Sequence, residues 1–189
     1  MTDFIPTPQG ILNDKQECIS YGDAINMLDN GQFDKDLKSG FILIGVISEG
    51  WMLEYFSPTV DQRVSMWRWM VAACFIDEQR DKYGTVEVEN EDGGVDIAAI
   101  YVNKALSMTV YPSAERIALS NHVERIAIEQ YGREKGLEMA IMMYNDFISI
   151  SSENRTTLSD TGREGMNILH DGFLEMLKDK NISLSATVH

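Results

Sequence analysis

Only two cysteines, Cys18 and Cys74, occur in the 189 residues, and they lie far apart. A disulfide framework is thereby excluded, and a reducing compartment is the simpler setting. No apolar run approaches the roughly 20 residues that a membrane span needs. The opening stretch, MTDFIPTPQG, has neither the basic start nor the apolar centre of a signal peptide. The expectation is a chain that is neither exported by a standard signal nor embedded in a membrane. His122, His170 and His189 are scattered over different segments with no second ligand at metal spacing. The glycine-rich phosphate loop, the spaced-glycine dinucleotide fingerprint and the Gly-x-Ser-x-Gly elbow are all missing. Nucleotide-driven chemistry and serine hydrolysis have no foothold, and no cofactor is expected. His122, close to Asn121 and Arg125, reads as a partly exposed helix histidine in preference to a base.

Positive charge is also scarce. Sixteen basic residues against thirty acidic ones give a formal charge of −14. Such a surface repels phosphate backbones over a salt-dependent distance, which argues against tight sequence-specific nucleic-acid binding. Three readings of the acidity remain: simple solubility, a surface that lets DNA pass without sticking, or a decoy that imitates DNA. No internal repeat or low-complexity tract is present. The triplets Asn154-Arg155-Thr156 and Asn181-Ile182-Ser183 match a glycosylation pattern short enough to arise by chance.

What is present is helical period. A chain of 189 residues suits one domain with a sizeable core. Residues 1–17 carry two prolines, a glycine and little periodicity, and predict an extended arm, of the kind that often grips a neighbouring subunit, or a surface loop. From Cys18 to Asn30, the spacing of Ile19, Ala24, Ile25 and Leu28 predicts a short helix stopped by Asn30-Gly31. The run from Phe41 to Phe56, FILIGVISEGWMLEYF, is open between a buried helix and two strands, with helix preferred because its glycines permit close packing. Thr59 and Gln62 form a capping-box pattern that opens a central helix running to about Tyr83-Gly84. Residues 85–103 alternate around Asp92-Gly93-Gly94 and predict a β-hairpin. Two adjacent amphipathic helices follow, one opening at Ser113 and closing at Gly132 or Gly136, the other running from Leu137 to about Ser151. A last helix, with a capping box at Thr161 and Glu164, ends near Asp179, and residues 181–189 read as a tail. The fold class is mainly α, of the α+β kind: one domain over 18–180, a helical bundle with an appended β-hairpin.

The carboxylates Glu87, Glu89, Glu91 and Asp92 are plentiful enough to suggest acid-base work, but alternate acids on a hairpin form a solvated face. One enzyme pattern is partly matched. Glu54-Tyr55-Phe56-Ser57-Pro58, Tyr83-Gly84-Thr85-Val86-Glu87-Val88 and Gly94-Val95-Asp96-Ile97-Ala98-Ala99-Ile100-Tyr101 look like the front half of some GCN5-related acetyltransferases. That family holds its cofactor pyrophosphate at a helix N-terminus through Arg/Gln-x-x-Gly-x-Gly/Ala. Arg133-Glu134-Lys135-Gly136-Leu137-Glu138 departs from the motif, because Glu138 puts a carboxylate where phosphate would approach.

The helical half carries a second resemblance. Ala118-Leu119-Ser120-Asn121-His122-Val123-Glu124-Arg125-Ile126-Ala127, then Tyr131-Gly132, resembles the helix of head-to-tail adaptor proteins of tailed phages, especially the tail accessory factors of short-tailed phages. The likeness covers about a fifth of the chain. It implies a non-enzymatic ring, commonly of twelve copies, in the virion neck, between portal protein and tail or nozzle protein, with DNA passing through and no membrane involved. Asn121, Arg125, Tyr131 and Arg133 then become the candidate subunit-contact residues. Glu87, Glu89, Glu91 and Asp92 become candidate channel-facing acids that keep DNA from adhering, and residues 1–17 and 181–189 the gripping arms. The rivals are the acyltransferase and an acidic DNA mimic that inhibits a host protein.

Overall fold

The computed structural model describes residues 3–89, 95–101, 108–110 and 112–179. It is mainly helical, with small antiparallel sheets at the periphery. The expected tail, 181–189, lies outside the described residues, as does the hairpin turn with Glu91 and Asp92.

The N-terminal segment corrects the expectation of an arm. β1 (Ile5–Thr7), β2 (Gly10–Leu12) and β3 (Cys18–Ile19) form an antiparallel meander in the order β1-β2-β3. Ile11 is fully buried in the main core, and the Tyr21 hydroxyl donates to the Thr7 carbonyl at 2.8 Å. Pro6 sits on the edge strand β1, where its missing N–H is tolerated. Residues 3–17 are therefore part of the body.

α1 (Tyr21–Asp29) is capped by Ser20, whose side chain accepts from the Asp23 amide, and ends at Asn30 as the sequence indicates, but it starts later than expected because Cys18 and Ile19 pair as β3. The ambiguous apolar run is helical from Phe41 to Met52, within α2 (Leu37–Met52), which is capped by Asp36 through the Ser39 amide, while Leu53 to Phe56 lie beyond the helix. Its glycines serve contact. A Cβ on Gly40 would lie 2.4 Å from the Trp69 ring, and one on Gly50 would lie 2.4 Å from the Tyr21 ring. Tyr21 in turn stacks on Phe56 with ring centroids 4.3 Å apart.

α3 (Val60–Tyr83) starts with both halves of the capping box formed between Thr59 and Gln62, and Gly84 closes it. It contacts α1, α2, three of the helices that follow the hairpin, and two of the peripheral strands. Trp69, Val71, Ala72, Phe75 and Ile76 are all at 0% exposure. A helix apolar on more than one face is a central one, and α3 is the axle of the fold.

β4 (Thr85–Glu89) and β5 (Val95–Tyr101) form the expected hairpin, and β6 (Met108–Val110) adds a third strand to it. α4 (Pro112–Leu119) then runs through a π turn, Ser120–Glu124, into α5 (Arg125–Tyr131). The helix includes Pro112, so Ser113 lies inside it and not at its cap; proline is favoured in that first turn. Gly132, at φ +83, separates α5 from α6 (Arg133–Phe147) in a single residue. A Cβ on Gly136 would fall 2.6 Å from the Ile128 amide nitrogen, so this glycine lets α6 cross α5 closely.

α6 starts four residues before, and ends four residues before, the span expected for the second amphipathic helix. Ile148 to Ile150 forms β7, paired antiparallel with β8 (Thr156–Leu158). α7 (Asp160–Asp179) follows, and its cap is Ser159, whose hydroxyl accepts from the Gly162 amide at 3.0 Å. The expected capping box at Thr161 and Glu164 is thus displaced by an earlier hydroxyl. Gly162 and Gly165 seat the first turns of α7 directly against Phe147.

Candidate functional site

Arg68 stands between Trp67 and Trp69 on α3, a cation inside an apolar stretch, and the fold gathers acids around it. Its guanidinium donates to Asp29 Oδ1 and Oδ2, each at 3.0 Å, and to Ser65 Oγ at 3.2 Å. The other terminal nitrogen donates to Glu124 Oε1 at 2.5 Å. Glu124 is only 4% exposed, and its second oxygen accepts from the fully buried Tyr144 hydroxyl at 2.8 Å. The π turn makes this possible, because its extra residue shifts the helix phase just before Glu124 and turns that side chain inward.

Burial pushes the Glu124 carboxyl above its usual range, against the opposing pull of Arg68 and of the Tyr144 hydrogen bond. Burial would lower Arg68, but the carboxylates of Glu124 and Asp29 outweigh it and hold the guanidinium above its ordinary value. Burial, reinforced by Glu124, raises Tyr144 as well, so the phenol keeps its proton. Every charge in this group has a partner, as buried charges require.

A cavity of about 410 Å³ opens beside the group. Asn121, Arg125 and Arg133, three of the four residues that the sequence offers as a contact set, line it together with Asp61, Arg68 and Glu124. Tyr131 is not brought there; it is exposed on α5 beneath the Lys135 ammonium, 5.6 Å from the ring centroid. Arg125 pairs with Glu129 one turn on, and Arg133 pairs with Asp61 of α3. His122 is exposed on the π turn. The sequence reading missed Asp29, Arg68, Glu124 and Tyr144, for which the one available signal was an arginine flanked by two tryptophans.

The near match to the acetyl-CoA motif has a structural content of its own. Its helix, α6, follows α5 and not a strand. Arg63 grips Glu138 with both terminal guanidinium nitrogens, a hydrogen bond that holds this carboxyl below its usual range. Arg133 is engaged by Asp61, and Gly136 is occupied by helix packing.

A groove of about 1000 Å³ opens between α2 and α3, with Ile150 of β7, Thr156 of β8 and the turn between them at one end. Phe41, Trp51, Trp67, Met70 and Ile150 make it apolar, and Asp77 lies in its wall. Burial, then Asp81, raises Asp77 above the ordinary carboxylate range, although Arg155 and Arg80 pull the other way. Cys74, one turn earlier on α3, is buried, and its thiol is pushed up to about 12, so it stays protonated and unreactive.

Glu87 and Glu89 lie on β4, in register with Ile97 and Val95 of β5. Among the described residues, no cluster of three or more His, Cys, Asp or Glu side chains is arranged to hold a metal ion. No helix among them is long and apolar enough to cross a membrane. Compared with known protein families, curated proteins and solved structures, the chain matches none.

Proposed function

We propose that this chain is a structural subunit that acts by assembling: a head-to-tail connector in the neck of a tailed phage, arranged as a ring around the DNA channel between portal and tail. The observation that carries this reading is the apolar surface that one copy leaves uncovered. At the end of α2, Trp51, Met52 and Leu53 are 44%, 79% and 49% exposed. On α6, the face opposite the packed Leu137, Ala140 and Tyr144 presents Met139, Met142 and Met143, at 36%, 69% and 46% exposure. Isolated exposed apolar residues are ordinary, but contiguous ones mark interaction surfaces. Two different apolar patches suit a heterologous contact, in which one patch of each copy meets another patch of the next and the rotation closes a ring.

The charge balance supports the same reading. A net charge of −14 is compatible with a wall past which DNA slides. The polar interior around Arg68 contributes by fixing where α4, α5 and α6 stand on α3. Electron microscopy of the particle with which the chain purifies from its native source tests the proposal. A ring lying between a portal and a tail is the expected image. A compact monomer that binds acetyl-CoA, or one that captures a host DNA-binding protein in a salt-dependent way, would replace this reading with one of the rivals.

A further inference from the structure

The three glycines of α2 are not equivalent. At Gly40 and Gly50 the Trp69 and Tyr21 rings leave no room for a Cβ. Gly45 is exposed, and a Cβ there would meet nothing within 4 Å. A glycine inside a helix costs stability relative to alanine, yet no described residue uses the space that Gly45 leaves. Gly45 lines the α2–α3 groove, and so does Ser48, one turn on. Small residues on a helix let a second helix cross at close range, as Gly136 does where α6 crosses α5. The groove is therefore shaped to receive a helix.

Its walls define what that helix carries. Phe41, Trp51 and Trp67 suit flexible apolar side chains, methionine above all, whose sulfur packs favourably at ring edges. Arg63 is paired with Glu138, which leaves Lys38 and Arg155 against one lining carboxylate, Asp77. Arg155 is 66% exposed and comes no closer than 3.9 Å to Asp81. In a chain of net charge −14, this local excess of cations favours an acidic occupant.

The chain presents such a helix on its own surface. Met139, Met142, Met143 and Asp146 of α6 recur at i, i+3, i+4 and i+7, and all four are exposed. α6 cannot lay this ridge in its own groove, because Leu137, Ala140 and Tyr144 on its opposite side hold it to the core. If ridge and groove meet, they belong to different copies. We infer that the α6 ridge of one copy docks as a helix in the α2–α3 groove of the next, with its methionines on Phe41, Trp51 and Trp67, its backbone close to Gly45 and Asp146 toward the groove's cations. An amphipathic helix seated in an apolar groove is a common mode of recognition. Because the two surfaces differ, the contact repeats from copy to copy and is of the kind that closes a ring. It deepens the connector reading by naming one of its junctions, and it rests on that reading in requiring like copies.

The test mixes two full-length variants, Gly45→Cys and Met142→Cys, each in a Cys18→Ser background, under gentle oxidation and runs them on non-reducing gels. Cys74 is buried and stays out of the exchange. Native mass spectrometry and thermal melts of the wild-type chain and of Gly45→Glu run in parallel. Gly45→Glu fills the gap and brings a carboxylate to the groove, while its Cβ meets nothing in its own copy. The expected result is a mixed disulfide between positions 45 and 142, with Gly45→Glu weakening assembly at least tenfold at an undiminished melting temperature. Oligomers that form no mixed disulfide and tolerate Gly45→Glu would overturn this junction and leave the ring. Disulfides confined to like positions would overturn it in favour of a two-fold contact. A wild-type chain that stays monomeric at millimolar concentration would overturn it as well, and microscopy of the native particle then judges the connector reading separately.

Discussion

The Tyr144 hydroxyl meets Glu124 Oε2 at 2.8 Å across the seam between α6 and the π turn, and the other oxygen of the same carboxylate meets Arg68 of α3. Three helical segments are thus joined through one buried carboxylate. Tyr144→Phe leaves that oxygen without its donor and is expected to lower unfolding stability by about 1–3 kcal/mol. Arg68→Met strands a buried negative charge and should cost about 3–5 kcal/mol. Urea unfolding followed by circular dichroism reads both. Equal, negligible shifts in midpoint would mean that the group is open to water.

That group also marks the boundary of what the sequence discloses. The capping box at Thr59 and Gln62 and the stop at Asn30-Gly31 rest on neighbours in the chain, so local patterns reveal them, whereas the run from Phe41 to Phe56 stays open between helix and strands until α2, ending at Met52, is seen packed on its neighbours. Glu124 has no such local signal. Its burial depends on a π turn that shifts the helical phase and on an arginine 56 positions away. The strand at Ile148 has the same character, because its residues continue the helical period and become a strand only when Thr156 to Leu158 pair with them. The N-terminal meander was hidden likewise: Ile11 and Leu12 are a short apolar pair among turn formers until their strand packs on α1. Of the candidate contact residues, Asn121, Arg125 and Arg133 do converge on one cavity, but Tyr131 does not join them.

Asp77 gives a pH signature with a defined sign. Its folded pKa lies above the ordinary value, chiefly through burial in the groove wall and then through Asp81, with Arg155 and Arg80 opposing and Glu78 adding. The stability it contributes is fully present below the unfolded pKa, about 3.9, and is lost as pH rises through the raised folded value. At pH 7 the carboxylate is therefore a liability. Asp77→Asn is expected to raise the melting temperature at pH 7, with the advantage shrinking as pH falls to the ordinary carboxylate range. A constant difference across that range, or a lower melting temperature at pH 7, would contradict the burial argument.

Two glycines of α2 should respond to the same substitution with opposite signs. A Cβ at Gly45 meets nothing within 4 Å, so Gly45→Ala gains helix propensity and reduced unfolded-state freedom, worth up to about 1 kcal/mol. At Gly40 the added carbon would lie 2.4 Å from the Trp69 ring and 3.0 Å from Phe33 Cβ. Trp69 is fully buried and meets Phe41 edge-on, so the ring has nowhere to retreat. Gly40→Ala is expected to destabilise by about 1–3 kcal/mol despite the propensity gain. Thermal melts of the two variants side by side decide it, and a stabilising Gly40→Ala would show that α2 packs less closely on α3.

The methionine face of α6 separates folding from assembly. Met142 and Met143 point away from the core that Leu137, Ala140 and Tyr144 build, so replacing both by glutamine keeps side-chain length and net charge while removing apolar character. Surface changes of this kind leave monomer stability within about 0.5 kcal/mol. Covering a methionine in an interface is worth about 1.5–3 kcal/mol for full burial, so even partial burial of two of them makes a junction at least tenfold weaker when they are lost. The expected outcome is an unchanged unfolding midpoint together with a shift to smaller species in sedimentation velocity. If the α6 face were instead the binding surface for a different protein, the oligomer would survive and only capture of that protein would fail. The ring would then have to close through the α2 corner at Trp51 and Met52.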